Sequence, residues 1–126
     1  MEEKFVRYLI RKGVLRRIDL RVSSDLSLLW DFAVRKAGDP KFLYSHLLQS
    51  YRIRKAGGRL SQWEFRKIAR SDSRKRIRVD FRDYWESTCL AYRYGTSLSG
   101  FMNALLELER DCLSQPSALI GLDRAA

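Results

Sequence analysis

Two short stretches of the chain alternate strictly between apolar and polar positions. In the first, Ile18, Leu20 and Val22 interleave with Arg17, Asp19 and Arg21; in the second, Ile77 and Val79 interleave with Arg74, Arg76 and Arg78. A period of two is that of a β-strand with one face on a core and the other in solvent, so strands are predicted over residues 14–22 and from residue 74 to about Phe81. Each strand then turns an arginine-rich face outward. Lys75 falls on the nominal core face of the second strand. A frame with Ile77, Val79 and Phe81 inward makes Arg76, Arg78 and Asp80 the outward set.

Between and after the strands the apolar residues recur at helical spacing. A short helix is expected within 2–12, carrying Phe5, Tyr8 and Leu9 and stopped by Gly13. Ser23, Ser24 and Asp25 supply cap residues for a helix running to Ala37, with Gly38 as its stop. Leu26, Leu28, Leu29, Trp30, Phe32, Ala33 and Val34 are too many for one stripe, so this helix should pack on two sides. Asp39-Pro40 opens a helix over 41–55 with Leu43, Leu47 and Tyr51 on one face. Ser61 and Glu64 fit a capping box, which predicts a short helix over 62–70 carrying Trp63, Phe65 and Ile68. After the second strand, a helix over 82–94 carries Trp85, Cys89 and Tyr92 and ends at Gly95. A last helix over 98–113 carries Leu98, Met102, Leu105, Leu106 and Leu108.

The two halves share this order. Gly38 and Gly95 lie 57 residues apart, and the same step carries Arg17, Asp19 and Arg21 onto Arg74, Arg76 and Arg78. Strand, first helix and glycine thus keep one spacing in both halves. The second helices align, Leu43 and Leu47 with Leu98 and Met102, only if the first loop holds two extra residues. A repeat of this length reads as a duplicated unit. The expected organisation is an N-terminal helix at 1–13, a first strand–helix–helix unit at 14–57, a helical connector at 58–73, a second unit at 74–114 and a tail at 115–126. Residues 14–114 should form one intertwined domain, mainly α with a short two-stranded antiparallel β-ribbon.

Composition sharpens the picture of the partner. In 126 residues, 25 Lys+Arg face 15 Asp+Glu, a formal charge of +10. Such an excess favours a polyanion, nucleic acid before an anionic membrane surface. The two cysteines have no neighbouring Cys or His, and the chain has one histidine, His46, so a zinc site with its usual four ligands is not expected and no cofactor is implied. Cys89 and Cys112 sit in apolar stretches and are expected as reduced core residues. No run of 18 apolar residues predicts a membrane span and no signal peptide is recognisable, so a cytoplasmic location, on the nucleoid, is expected. No catalytic triad, Cys/His pair or phosphate-binding glycine loop is recognisable, and an enzyme is not expected.

The order Arg76-Ile77-Arg78-Val79, a helix from Trp85 to Tyr94, Gly95-Thr96-Ser97-Leu98-Ser99 and a helix through Phe101-Met102 to Leu108 resembles the ribbon-helix-helix family of MetJ/Arc/CopG-type repressors. The first half, from Arg17 through Gly38 to a helix near Lys41, follows the same plan. The resemblance implies a two-stranded ribbon that enters the major groove of double-stranded DNA. Arg17, Asp19, Arg21, Arg74, Arg76 and Arg78 would then contact bases. Phosphate would be held at Ser97, Leu98 and Ser99, and at Lys41 in the first half. Relatives supply one strand per chain, so a chain with two implies a tandem pseudo-dimer. It also implies a transcriptional repressor, with an antitoxin-like role that engages a toxin-like protein, or self-association on DNA, as further partners.

Alternatives stand beside several of these roles. Asp19 can accept from cytosine N4–H or form an ion pair with Arg76 or Arg78 across the ribbon. Arg52, Arg54, Lys55, Arg59, Arg66, Lys67 and Arg70 can add phosphate contacts or be an ordinary solvated face. The tryptophans and tyrosines fit core positions better than a base-stacking platform. The outward sets of the two halves are not identical, so the DNA site is expected to be asymmetric. A basic helical protein–protein adaptor or a non-specific nucleic-acid-binding protein is the rival reading of the whole chain.

Overall fold

The computed structural model describes Lys4, residues 14–58, 60, 63–65, 67–69 and 72–115. The helix expected over 1–13 (Lys4 apart) and the tail beyond Gln115 lie outside the described residues. Strand β1 spans Leu15–Val22 and strand β2 spans Ser73–Asp80. They pair antiparallel, with Leu15 opposite Asp80, Asp19 opposite Arg76 and Val22 opposite Ser73. This is the only sheet among the described residues.

Directly opposed residues of an antiparallel pair project from the same face. Arg17, Asp19 and Arg21 therefore share one face with Arg78, Arg76 and Arg74. The other face holds Leu20, Val22, Ile77 and Val79, all buried, with Ile18 half-buried beside them. Lys75 does lie on this inner face, opposite Leu20. Its ammonium reaches the rim and pairs with Asp31 at 3.0 Å. Arg16, also inward, lays its guanidinium over the Tyr84 ring at 5.0 Å from the centroid. The two frames considered for the second strand coincide at Ile77 and Val79; Phe81, expected inward, instead opens the next helix and is 40% exposed. Asp80 shares the outward face with Arg76 and Arg78, and its carboxylate accepts from the Arg82 N–H at the start of the next helix.

Among the described residues five α-helices support the strands: α1 (Ser27–Ala37), α2 (Pro40–Ala56), α3 (Phe81–Arg93), α4 (Leu98–Leu108) and α5 (Arg110–Leu113). The last predicted helix is split at Glu109. That residue is buried and its carboxylate accepts from Arg54 Nε at 2.9 Å. Ser23–Asp25 do not cap α1. Residues Ser24–Leu26 form a 3₁₀ turn, held where the Leu26 N–H donates to the Ser23 carbonyl, and α1 starts one residue later. Helix α4 is buried all round from Gly100 to Leu106 and is the centre of the core. β1 packs against α4 from the second half, and β2 packs against α2 from the first.

Three expectations are overturned. The connector is not helical at its described residues 63–65 and 67–69. Trp63 and Phe65 are two positions apart, which an extended chain aims the same way and a helix does not. Both rings join one cluster: Trp63 meets Phe65 at 4.8 Å, Tyr51 at 5.6 Å and Phe101 at 5.4 Å. The stripe Trp85–Cys89–Tyr92 on α3 faces solvent, with Trp85 60% and Tyr92 87% exposed. The buried face of α3 is Ser87 and Ala91, because the large Tyr44 and Phe101 from α2 and α4 are already buried in the core it packs on and only small side chains fit against them. The Tyr44 hydroxyl hydrogen-bonds Ser87. Cys112, like Cys89, is exposed rather than core. Leu28 is 83% exposed, while Leu26, Trp30, Ala33 and Ala37 form the inner stripe of α1.

Stepping by 57 from Leu43, Tyr44, Leu47 and Leu48 of α2 reaches Gly100, Phe101, Ala104 and Leu105 of α4, and all eight are buried. The caps of the two helices, Asp39 and Ser97, do not keep that step. Each first helix ends through a left-handed glycine, Gly38 at φ +90° and Gly95 at φ +70°. That conformation costs an L side chain roughly 1–2 kcal/mol. A Cβ at either glycine would meet no atom within 4 Å. Gly38→Ala and Gly95→Ala should therefore each lower stability by about 1–2 kcal/mol through the backbone alone. Gly→Asn at the same sites should cost less, as urea unfolding midpoints will show. His46 on α2 gives a pH signature. Burial lowers its pKa below the ordinary 6.5, against an opposing pull from Glu109. Between the two values the unfolded chain binds more protons, so this residue's contribution to stability falls as pH drops below about 6.5. The slope should flatten in His46→Gln, measured by urea unfolding between pH 5 and 7.5.

Candidate nucleic-acid interface

The strands put five guanidinium groups and two carboxylates, Asp19 at the centre and Asp80 at one end, on one surface. Arg17 is directly opposite Arg78, Arg21 opposite Arg74 and Asp19 opposite Arg76. Arg17, Asp19, Arg74, Arg76 and Arg78 are exposed and Arg21 is half-exposed. Arg76 Nε stands 3.5 Å from Asp19 Oδ1, with both side chains more than half exposed. Asp19 thus makes the cross-strand ion pair that was its alternative role. In high dielectric such a pair contributes little to stability. The opposed Arg17 and Arg78 are unfavourable in water alone, since like charges directly opposed in a sheet repel. The surface between the central pairs is a shallow hollow lined by Arg17, Asp19, Arg76, Arg78 and the backs of Ile18 and Ile77.

The N-termini of α4 and α2 flank the two open edges of the ribbon. At β1, the Arg21 N–H donates to Ser99 Oγ at 3.0 Å. Ser97 caps α4, its Oγ accepting from the Gly100 N–H at 3.0 Å. Both hydroxyls therefore act as acceptors within the fold, and each keeps its O–H to donate. The N–H groups of Leu98 and Ser99 belong to the first turn, where a helix offers no acceptor of its own. At β2, Pro40 of α2 shares a groove with Arg74, Lys75, Arg76 and Ile77. The first half differs in its cap. Asp39 accepts from the Lys41 N–H at 2.9 Å, and the Lys41 ammonium lies over the Phe42 ring at 5.2 Å. The backbone of Lys41 is already bonded to a carboxylate, so the neutral Ser97 end is the better anion site of the two.

Part of the middle basic set is used inside the fold. Arg52 donates to both carboxylate oxygens of Glu86, through Nε at 3.0 Å, and to Gln49 at 2.9 Å. These bonds raise its pKa further. Arg54 is tied to Glu109 and to the Leu108 carbonyl. Lys55 and Lys67 are exposed. Arg59, Arg66 and Arg70 lie outside the described residues. Among the described residues no group of three or more His, Cys, Asp or Glu is placed to hold a metal ion. No helix there is long and apolar enough to cross a membrane.

One positioning residue escaped the sequence reading. Asn103 is 2% exposed in the middle of α4. Its Oδ1 accepts from the Ser23 N–H at 2.8 Å, and its Nδ2 donates to the carbonyls of Arg21 (2.7 Å) and Ser99 (2.6 Å). The end of β1 is thereby pinned to the N-terminus of α4. The signal was available as a lone amide inside the apolar run Phe101-Met102-Asn103-Ala104-Leu105-Leu106, since a buried polar group must find partners.

The chain matches no protein-family model, no curated protein and no solved structure.

Asn103→Ala strands one backbone donor and one strand carbonyl in a dry site. A loss of about 2–3 kcal/mol is expected in urea unfolding, and amide exchange should accelerate at Arg21 and Ser23 before the centre of β1.

Proposed function

We propose that this chain binds double-stranded DNA in a sequence-dependent way, as a tandem ribbon-helix-helix protein whose two units pair within one molecule, and that it acts as a transcriptional regulator of the repressor type. One observation carries the reading: five arginines surround Asp19 on the solvent face of a two-stranded ribbon, with Asp80 at one end, and the other face is seated on the core. The major groove is about 12 Å wide and admits such a ribbon. A guanidinium projecting from it can bond guanine O6 and N7 together, and a carboxylate can accept from cytosine N4–H. The directly opposed Arg17 and Arg78 add a motive, because a polyanion removes their mutual repulsion. The Ser97 end of α4, bonded to the edge of β1 through Ser99, fits a flanking phosphate.

A second reading has its own support. Phe81, Trp85, Cys89 and Tyr92 make an exposed, largely aromatic stripe along α3. A protein partner, including a toxin-like one or a second copy, would find more contact area there than on the ribbon.

Duplex binding should weaken steeply with salt, log K falling by roughly 0.9 per phosphate contacted for each tenfold rise in salt. One sequence should compete better than random DNA at every salt concentration. Arg76→Ala with Arg78→Ala should erase discrimination at a few base positions while circular dichroism stays unchanged. Salt-dependent binding with no preferred sequence would reduce the ribbon to a basic patch, and retained preference in the double variant would remove these arginines from base contact.

A further inference from the structure

The ribbon carries an internal symmetry that specifies the form of its DNA site; the inference rests on the reading that this face enters a duplex. Two separate regularities meet there. The repeat relates residues 57 positions apart, so Arg17 corresponds to Arg74, Asp19 to Arg76 and Arg21 to Arg78. The strand register opposes Arg17 to Arg78, Asp19 to Arg76 and Arg21 to Arg74. Asp19 and Arg76 alone satisfy both relations. A rotation that exchanges β1 with β2 must therefore pass between these two residues. About that axis Arg17 falls on Arg74 and Arg21 on Arg78, so the four outer positions are alike. The flanking elements obey the same rotation, α4 meeting β1 and α2 meeting β2. Among the six outward positions that the repeat relates, only the central pair breaks it, with a carboxylate on one strand and a guanidinium on the other, 3.5 Å apart.

We propose that one molecule reads a site made of two palindromic arms around a single central G·C pair, and that the Asp19–Arg76 pair sets which way round the protein sits. The arms follow from the four arginines, since a two-fold face on a two-fold duplex repeats its contacts in inverted order. Arg17 and Arg21 are four residues apart, roughly 13 Å at strand rise. That distance covers about four base pairs at 3.4 Å each. The centre follows from complementarity. Guanine offers O6 and N7 to Arg76, and the cytosine paired with it offers N4–H to Asp19. An A·T pair also offers a donor, adenine N6–H, to the carboxylate, but thymine presents the guanidinium only the single acceptor O4, so the bidentate contact is lost. Turning the central pair over does not change affinity when the arms are perfect inverted repeats, because the duplex is then the same object rotated. It reverses the seating of the protein.

The test is a selection of bound duplexes from a random pool by the full chain, followed by affinity cleavage. For the second step an iron chelate that cuts DNA locally is attached at Arg82→Cys, just past the end of β2, with Cys89→Ser and Cys112→Ser. Selected sites should show inverted-repeat arms with G·C at the centre, and an A·T centre should weaken binding roughly tenfold or more. Cleavage should fall on one arm and move to the other when the central pair is inverted. Asp19→Arg makes the face symmetric and should give equal cleavage on both arms with the arm sequence still preferred. Asp19→Asn, which adds no charge, should weaken the one-sided pattern and serves if the arginine variant is unstable. Direct or unrelated arms, a centre without preference, or equal cleavage by the chain carrying Asp19 would overturn the inference while leaving DNA binding intact. A failure to bind duplex at all would overturn the reading of the face, and this inference with it.

Discussion

A two-stranded antiparallel pair has two open edges and one face to bury, and in water it is marginal unless something else holds it. In this protein β1 and β2 are far apart in sequence, so their pairing is bought only when the intervening helices close. The register places Leu20, Val22, Ile77 and Val79 together on the inner face, where they are covered. A slip of one residue would send these four outward and drive arginines into the core. Every functional feature proposed for the ribbon depends on that single register.

The helices hold the register from both sides. α4, buried throughout its middle, is the post on which β1 rests, and Asn103 directs two of its three polar bonds to the end of that strand and the third to Ser99 of its own helix. α2 performs the matching task for β2, without a matching amide, because His46 stands at the equivalent position. The outward arginines are not part of this support: like charges face each other at Arg17 and Arg78, while Arg76 is paired with Asp19.

The Gly38 and Gly95 turns show why two unequal halves share one plan. Both first helices must reverse quickly enough to bring a second helix back across the strands, and both do so through a left-handed residue that glycine alone adopts freely. The rest of the two halves is free to diverge wherever the packing allows. Asp39 caps one second helix where Ser97 caps the other, and Tyr44 stands where Phe101 does in the repeat. The polar Tyr44 hydroxyl is then met by Ser87 from α3.

Local pattern settled much of this. Strict alternation identified both strands and their outward sets, because period two leaves no other assignment of faces. Asp39-Pro40, Gly38 and Gly95 marked helix ends through backbone constraints that act on a few residues at a time. What pattern could not decide was which of two apolar surfaces goes inward. On α3 the large residues Trp85 and Tyr92 look like core and are exposed, because the space is already filled by side chains of α2 and α4. Trp63 and Phe65 sit in a segment whose capping signals suggest a helix, yet the rings of Tyr51, Tyr94 and Phe101 from three other segments draw them both to one side. Whether Arg52 and Arg54 are free or tied to Glu86 and Glu109 likewise depends on contacts between distant helices. Short-range geometry is written residue by residue in the sequence; the allocation of a limited interior among competing side chains is decided only when all the elements have been packed together.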